Sequence, residues 1–184
     1  MADLAKALPP VLKHEGGWVH DPADPGGETY CGISRRYFPG WPGWPLLDAQ
    51  RRIDGRPNDA SLAPMVAGFY RANFWDRFQG DRIADQALAD ELLDQAVNLG
   101  VHRAVEHLQR ALNALNNEGK RWPDMVRDGK LGPGTLAALD ACRSYGYLPA
   151  LMAALKGQQA VYYLERMEAR GTNERFAGGW LGRV

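Results

Sequence analysis

Glu15 is the first residue whose type and setting suggest chemistry. It follows a stretch in which Leu4, Leu8, Val11 and Leu12 share one helical face, and it precedes Gly16 and Gly17. A carboxylate at a helix C-terminus faces the negative end of the helix dipole, a setting that suits a proton donor. The two glycines let the backbone turn sharply and let a bulky ligand approach. The plainer alternative is a solvated Glu at a helix end, followed by a terminating glycine. Asp24 lies nine residues after Glu15, and Thr29 five after Asp24. A second carboxylate or a hydroxyl facing an acid could position a water, as an inverting glycosidase requires. Gly26 and Gly27 would form the turn that returns this arm past Glu15. Asp21 and Asp24 each precede a proline. Turn formation accounts for Asp21 and competes with the chemical reading of Asp24.

Aromatic residues gather in the same part of the chain: Trp18, Tyr30, Tyr37, Trp41, Trp44, Tyr70 and Trp75. Aromatic faces pack on the apolar faces of sugar rings while polar rims take the hydroxyls. Trp41 and Trp44, in a Pro-Gly run, fit either that role or a small cluster pinning the loop. Helical spacing favours core packing for Tyr70 and Trp75. Asp94 and Asn98, four apart on one helical face, could brace the backbone or hold a substrate amide. Gln109 and Asn113 share that spacing and read as structural. His14, His20, His102 and His107 lack the spacing of a metal set. Residues 128–134 lack the alternating Asp/Asn of a calcium loop, and their glycines do not fit a phosphate loop. No metal or cofactor is expected.

The elements that must position these residues are mostly helical. Pro9 and Pro10 interrupt the first apolar face, so that helix should start at Pro9 or kink there. Residues 16–58 are rich in Gly and Pro and read as loop, turn and a short hairpin. Asn58 or Asp59 can cap the next helix, with Leu62, Val66, Phe69 and Tyr70 inward and Phe74 and Trp75 at its end. Helices follow from about Asp85 to Leu99, stopped by Gly100, and through Ala104, Leu108, Leu112 and Leu115. A polar, Gly-rich connection covers 116–134. A short helix from Thr135 to Cys142, a long one from Leu148 to Met167 and a last one between Asn173 and Trp180 complete an all-α pattern.

Composition sets the outer bounds. The chain has 184 residues, 45% hydrophobic and 24% charged, enough to fill a core. Lys plus Arg and Asp plus Glu both total 22, so no net field attracts nucleic acid. No apolar run is long enough to span a membrane. The first residues do not read as a signal peptide, so synthesis in the cytoplasm is expected, with a holin or transporter carrying the product to any outside substrate. Cys31 and Cys142 are expected to be free thiols.

His14-Glu15-Gly16-Gly17-Trp18, the arm Asp21-Pro22-Ala23-Asp24-Pro25-Gly26-Gly27-Glu28-Thr29 and Gly32-Ile33-Ser34 together resemble glycoside hydrolase family 108. That family comprises lysozyme-like N-acetylmuramidases of phage endolysins and secretion-associated murein hydrolases. Tyr70-Arg71, Phe74-Trp75-Asp76, Asp94, Asn98-Leu99-Gly100, Leu108-Gln109 and Leu112-Asn113 continue the pattern. Asp128-Gly129-Lys130-Leu131-Gly132-Pro133-Gly134-Thr135, with Phe176, Gly179-Trp180 and Arg183, resembles a C-terminal peptidoglycan-binding region. The resemblance spans nearly the whole chain.

It implies a mainly α, lysozyme-like fold of two lobes around a glycan cleft, with a loop-rich N-terminal insert. Residues 1–89 would form the catalytic lobe and 90–184 the peptidoglycan-binding lobe. Glu15 is implied as the catalytic acid, with Asp24 or Thr29 serving the water. The spacing from Asp24 to Thr29 is one residue shorter than in the related tailed-phage lysozymes. Trp18, Tyr30, Trp41, Trp44, Tyr70, Asp94 and Asn98 are the candidate substrate contacts. The implied reaction is hydrolysis of the β-1,4 bond between N-acetylmuramic acid and N-acetylglucosamine, on peptidoglycan in the cell wall. A non-catalytic wall-binding module and a lytic transglycosylase are the alternatives.

Overall fold

The computed structural model describes residues 1–20, 27–55, 57 and 59–184. The chain is mainly α with one small sheet, in two compact units, Met1–Asp81 and Arg82–Val184.

In the first unit, α1 runs unbroken from Leu4 to Glu15, with the Asp3 side chain accepting from the Ala5 N–H at its start. The helix does not start at Pro9: both prolines lie inside it. Pro9 and Pro10 are exposed, as are Ala5 and Lys6, whose carbonyls lose their usual partners, so water can satisfy them. Leu4, Ala7, Leu8 and Val11 form the buried stripe. Gly16 (φ 74°) then ends the helix immediately after Glu15.

Three two-residue strands follow, β1 Trp18–Val19, β2 Thr29–Tyr30 and β3 Ile33–Ser34, as an antiparallel meander. Trp18 pairs with Tyr30, and Tyr30 with Ile33, so these three share one face; Val19, Thr29 and Ser34 share the other. The β2–β3 turn consists of Cys31 (φ 47°) and Gly32 (φ 74°). Two left-handed residues in a row match the type I′ geometry that a two-residue hairpin prefers.

Residues 16–58 are not all loop. Gly43–Asp54 form α2, entered through Pro42 with Pro45 in its first turn. Proline is compatible with a first helical turn because the N–H it lacks has no partner there. Trp44 and Leu47 give α2 its buried side. α3, Asp59–Tyr70, packs against α1 and α2 and passes into a π-helical turn, Arg71–Trp75. Asn73 Nδ2 donates to the Phe69 carbonyl at 2.8 Å within that wider turn. Trp75 is fully buried, its ring so close to Gly80 that a Cβ there would stand 2.3 Å from it.

The second unit contains α4 Gln86–Leu99, α5 Val101–Leu115, α6 Pro133–Ser144, α7 Leu148–Ala169 and the short α8 Ala177–Leu181. Asp85 caps α4 by accepting from Leu88 N–H, and Gly100 (φ 89°) ends it. Leu88, Leu92 and Ala96 meet Ala104, Leu108 and Leu112 in the core between α4 and α5, which α7 completes with Leu151 and Leu155. Gln109 and Asn113 on α5 hold the 116–134 connection. Gln109 Nε2 donates to Asp128 Oδ1 (2.8 Å) and its Oε1 accepts from Gly129 N–H (2.9 Å). Asn113 does the same with the two backbone groups of Met125.

Candidate active site

The geometry around Glu15 is built by the hairpin. Glu15 is half-buried at the last position of α1. A Cβ added to Gly32 would stand 2.8 Å from Glu15 Oε2, 2.8 Å from the Tyr70 hydroxyl and 3.1 Å from Glu15 Cγ. The bare Cα of Gly32 therefore makes the floor on which the carboxylate rests, beside the Tyr70 hydroxyl. Cys31 fixes that floor from two sides. Its N–H donates to the Gly17 carbonyl at 3.1 Å, and its carbonyl accepts from the Tyr70 hydroxyl at 2.9 Å. Glycine at 32 answers two demands at once, the left-handed φ and the absence of a side chain.

A second cluster clamps the meander. Glu28 Oε1 accepts from Trp18 Nε1 and from Arg51 Nη1, both at 2.9 Å. Glu28 Oε2 lies 2.8 Å from Arg35 Nε, an ion pair without hydrogen-bond alignment. Arg35 also donates to both oxygens of Asp48 on α2, and this hydrogen bonding holds the Asp48 carboxyl below the usual carboxylate range. The Arg51 guanidinium lies 4.0 Å over the Trp18 ring, and Arg35 lies 4.5 Å over Trp44. Glu28 thereby ties β1, the arm before β2 and α2 together around the exit of α1.

The candidate sugar contacts fall into distinct settings. Tyr30 is 1% exposed; its hydroxyl donates to Asp59 Oδ1 at 2.6 Å, and its ring stacks on Trp41. Burial, with Asp59 adding to it, pushes the Tyr30 phenol far above its usual range. Trp44 is 3% exposed, edge-on to Trp41, with Nε1 donating to the Phe38 carbonyl. Tyr70 is 2% exposed. Buried this deeply, Tyr30, Trp44 and Tyr70 shape and support the surface from behind. Trp18 is half-buried. Trp41 lines a cleft of about 590 Å³ with Tyr37, Phe38, Met65 and Phe69, and Tyr37 is largely exposed there. Glu15 is not among the residues lining it. Asp94 and Asn98 belong to the second unit. Asp94 accepts from Gln159 Nε2 (2.8 Å), meets Arg183 Nη1 (3.5 Å) and receives the Asn98 amide, so the pair braces α4 against α7 and the C-terminal tail.

Thr29 is half-buried in β2. Asp24 lies outside the described residues, as does Asp21. Both cysteines are free thiols. Burial pushes the Cys31 thiol upward, which keeps it protonated and unsuited to nucleophilic work. Among the described residues, no group of three or more His, Cys, Asp or Glu is placed to hold a metal, and no helix is long and apolar enough to cross a membrane. The seat formed by Gly32 and the Tyr70 hydroxyl gives the Glu15 carboxylate a fixed position from which a proton could be transferred.

Gly32, Cys31, Glu28, Arg35 and Arg51 were given no role by sequence reasoning. One local signal existed: Cys31-Gly32 sits between Thr29-Tyr30 and Ile33-Ser34, the pattern of a two-residue hairpin. The Glu28 clamp joins residues 10 and 23 positions away and has no local signature.

The family model described as Glycosyl hydrolase 108 matches residues 8–100, and the one described as Predicted Peptidoglycan domain matches residues 103–184. The solved structure of Brucella abortus SagA is similar, with a TM-score of 0.62 at 27% sequence identity, covering 98% of this chain and 88% of that one. Comparison with curated proteins gave no match.

Proposed function

Since the chain belongs to the glycosyl hydrolase 108 family, and is thus a mainly α, lysozyme-like hydrolase of peptidoglycan, we propose that it is an N-acetylmuramidase with Glu15 as its general acid. The bond broken is the β-1,4 link between N-acetylmuramic acid and N-acetylglucosamine. Glu15 gives its proton to the glycosidic oxygen as the bond to the anomeric carbon breaks, and positive charge spreads into an oxocarbenium-like ring. Water adds to the anomeric carbon from the far side and loses its proton to a group that Asp24 or Thr29 supplies or orients. The first lobe carries out this chemistry and the second retains the glycan, in the cell wall where the substrate lies.

The observation that supports this reading is the seat of the Glu15 carboxylate, with Gly32 beneath it and the Tyr70 hydroxyl beside it. A general acid has to be held within a fraction of an ångström of its target oxygen, and a backbone floor holds it better than mobile side chains do. The test is digestion of purified murein by wild-type protein and by Glu15→Gln, followed by mass analysis of the fragments. Wild type should release fragments that have gained a water, and Glu15→Gln should remain folded and release none. Anhydro-sugar ends would show transglycosylation instead, and wild-type rates in the Gln variant would remove Glu15 from the mechanism.

A further inference from the structure

The cleft of about 590 Å³ in the first unit has a lining of one chemical kind. Tyr37, Phe38, Trp41 and Phe69 supply rings, and Pro39 and Pro42 add two more apolar faces. Among the described residues, none that lines it carries a charge, although charged residues make up 24% of the chain. Such a lining does not compensate an ion for its lost hydration, so it selects a neutral occupant over a carboxylate or a phosphate. A sugar ring is neutral and packs its C–H face on an aromatic ring.

Two details narrow the sugar. Phe38 and Phe69 meet edge-on, 4.7 Å between centroids and 85° between planes, so they form a corner rather than a flat wall. Asn73 stands beside that corner. Its Nδ2 donates to the Phe69 carbonyl at 2.8 Å, which leaves the amide oxygen, an acceptor, as the outer end. An acetamido substituent has its methyl and its N–H on the same side of a planar trans amide, so one group can fill the corner and reach the acceptor. In peptidoglycan, N-acetylglucosamine is the sugar that carries an acetamide without the lactyl ether and its charged peptide.

The cleft adjoins the acid without containing it. The Phe69 and Tyr70 rings are 5.7 Å apart, and the Tyr70 hydroxyl borders the seat of Glu15. One buried ring thus connects the cleft wall with that seat.

We propose that this cleft binds an N-acetylglucosamine unit of the glycan strand away from the scissile bond, with the sugar face on Tyr37, the acetamido methyl in the corner of Phe38 and Phe69, and its N–H on Asn73 Oδ1. Tyr37 is 69% exposed and gives the rim a ring face open to a ligand. The inference rests on the reading of peptidoglycan as substrate. It names which of the two sugars is held apart from Glu15, and by which side chains.

The test is calorimetric titration of the full chain with the β-1,4-linked tetramer of N-acetylglucosamine and with the glucose tetramer of the same linkage. The first should bind. The second should bind roughly ten-fold more weakly or worse, because it lacks the acetamide. Tyr37→Ala should also weaken the first roughly ten-fold. Gly68 lines the cleft from α3, and a Cβ there meets nothing within 4 Å. Gly68→Leu should therefore fill the cleft while Tm holds or rises, since Leu is the better helix former. A folding defect cannot produce that combination. Absence of tetramer binding, equal affinity for the two tetramers, or unchanged affinity in Gly68→Leu would each overturn the proposal. So would self-association of the chain that Gly68→Leu abolishes, because the cleft would then be an interface between copies. The tetramer contains no N-acetylmuramic acid, so its binding is read independently of cleavage. Murein cleavage without tetramer binding would reject only the cleft assignment. Tetramer binding beside full activity of Glu15→Gln would reject only Glu15 as the acid.

Discussion

Replacing Gly32 by Ala tests the seat of the carboxylate most directly. The added Cβ would lie 2.8 Å from both Glu15 Oε2 and the Tyr70 hydroxyl oxygen. Carbon and oxygen settle at about 3.3 Å or more, so the carboxylate must retreat by roughly 0.5 Å. A misplacement of about 1 Å can cost about 10²-fold in rate, so half of that should lower kcat by roughly ten-fold. The backbone adds its own effect, because φ is +74° and Ala in the left-handed region costs about 1–2 kcal/mol. In a chain of this size that lowers Tm by roughly 2–8 °C. Gly55→Ala separates the two effects: Gly55 has φ +71° and nothing within 4 Å of a Cβ, so it carries the strain without the collision. The assay is initial rate of reducing-end release from murein, with a thermal melt of each variant. Gly32→Ala should lose activity while folded at the assay temperature, and Gly55→Ala should lose only stability. Wild-type kcat in a folded Gly32→Ala protein would show that Glu15 does not depend on this floor.

Two further outcomes follow from the charges. In Glu28→Gln one of two acceptor oxygens becomes a donor facing Trp18, Arg35 and Arg51, so stability should fall by about 2 kcal/mol; a melt within about 1 °C of wild type would deny Glu28 its clamping role. His107 has its ionisation depressed in the fold to about 4 from an ordinary value near 6.5, so between these values the unfolded chain binds more protons. Its contribution is therefore complete above about pH 6.5 and is lost as pH falls toward 4; the NMR titration midpoint of His107 should lie near 4, and His107→Gln should flatten the decline in Tm across that window. A midpoint near 6.5 would contradict the effect of burial, and of Arg103, Arg110 and Arg127 nearby, on that ring.

Much of the helical framework is legible from the sequence because its signals are local. The Asp85 cap, the stripe Leu88, Leu92, Ala96 and the stop at Gly100 each act on residues within about one turn of themselves, and α4 forms between cap and stop. Where local signals compete, the sequence misleads. Proline and glycine around residues 39–45 read as loop, yet Pro45 falls in the first turn of α2, where proline has no hydrogen bond to lose. Pro9 and Pro10 read as a break, yet they occupy the wet side of α1.

The site divides the same way. Glu15, followed by two glycines at the end of an apolar helical stripe, stands out from the sequence because a carboxyl group at a helix exit is a property of neighbouring residues. What surrounds that carboxyl group is not. Tyr70 meets Cys31 across 39 positions, Gly32 lies beneath Glu15, and Glu28 gathers Trp18, Arg35 and Arg51 from three separate elements. Trp44, which the sequence leaves open between sugar platform and loop-pinning cluster, and Tyr70, whose helical spacing favours the core, become buried supports with Tyr30 only when α2 and α3 pack over the hairpin. Sequence alone thus determined most of the helices and singled out Glu15 as the candidate acid, because both depend on residues within a few turns. Tertiary structure decided what surrounds the Glu15 carboxylate, because contacts between distant residues exist only after apolar burial has brought their elements together.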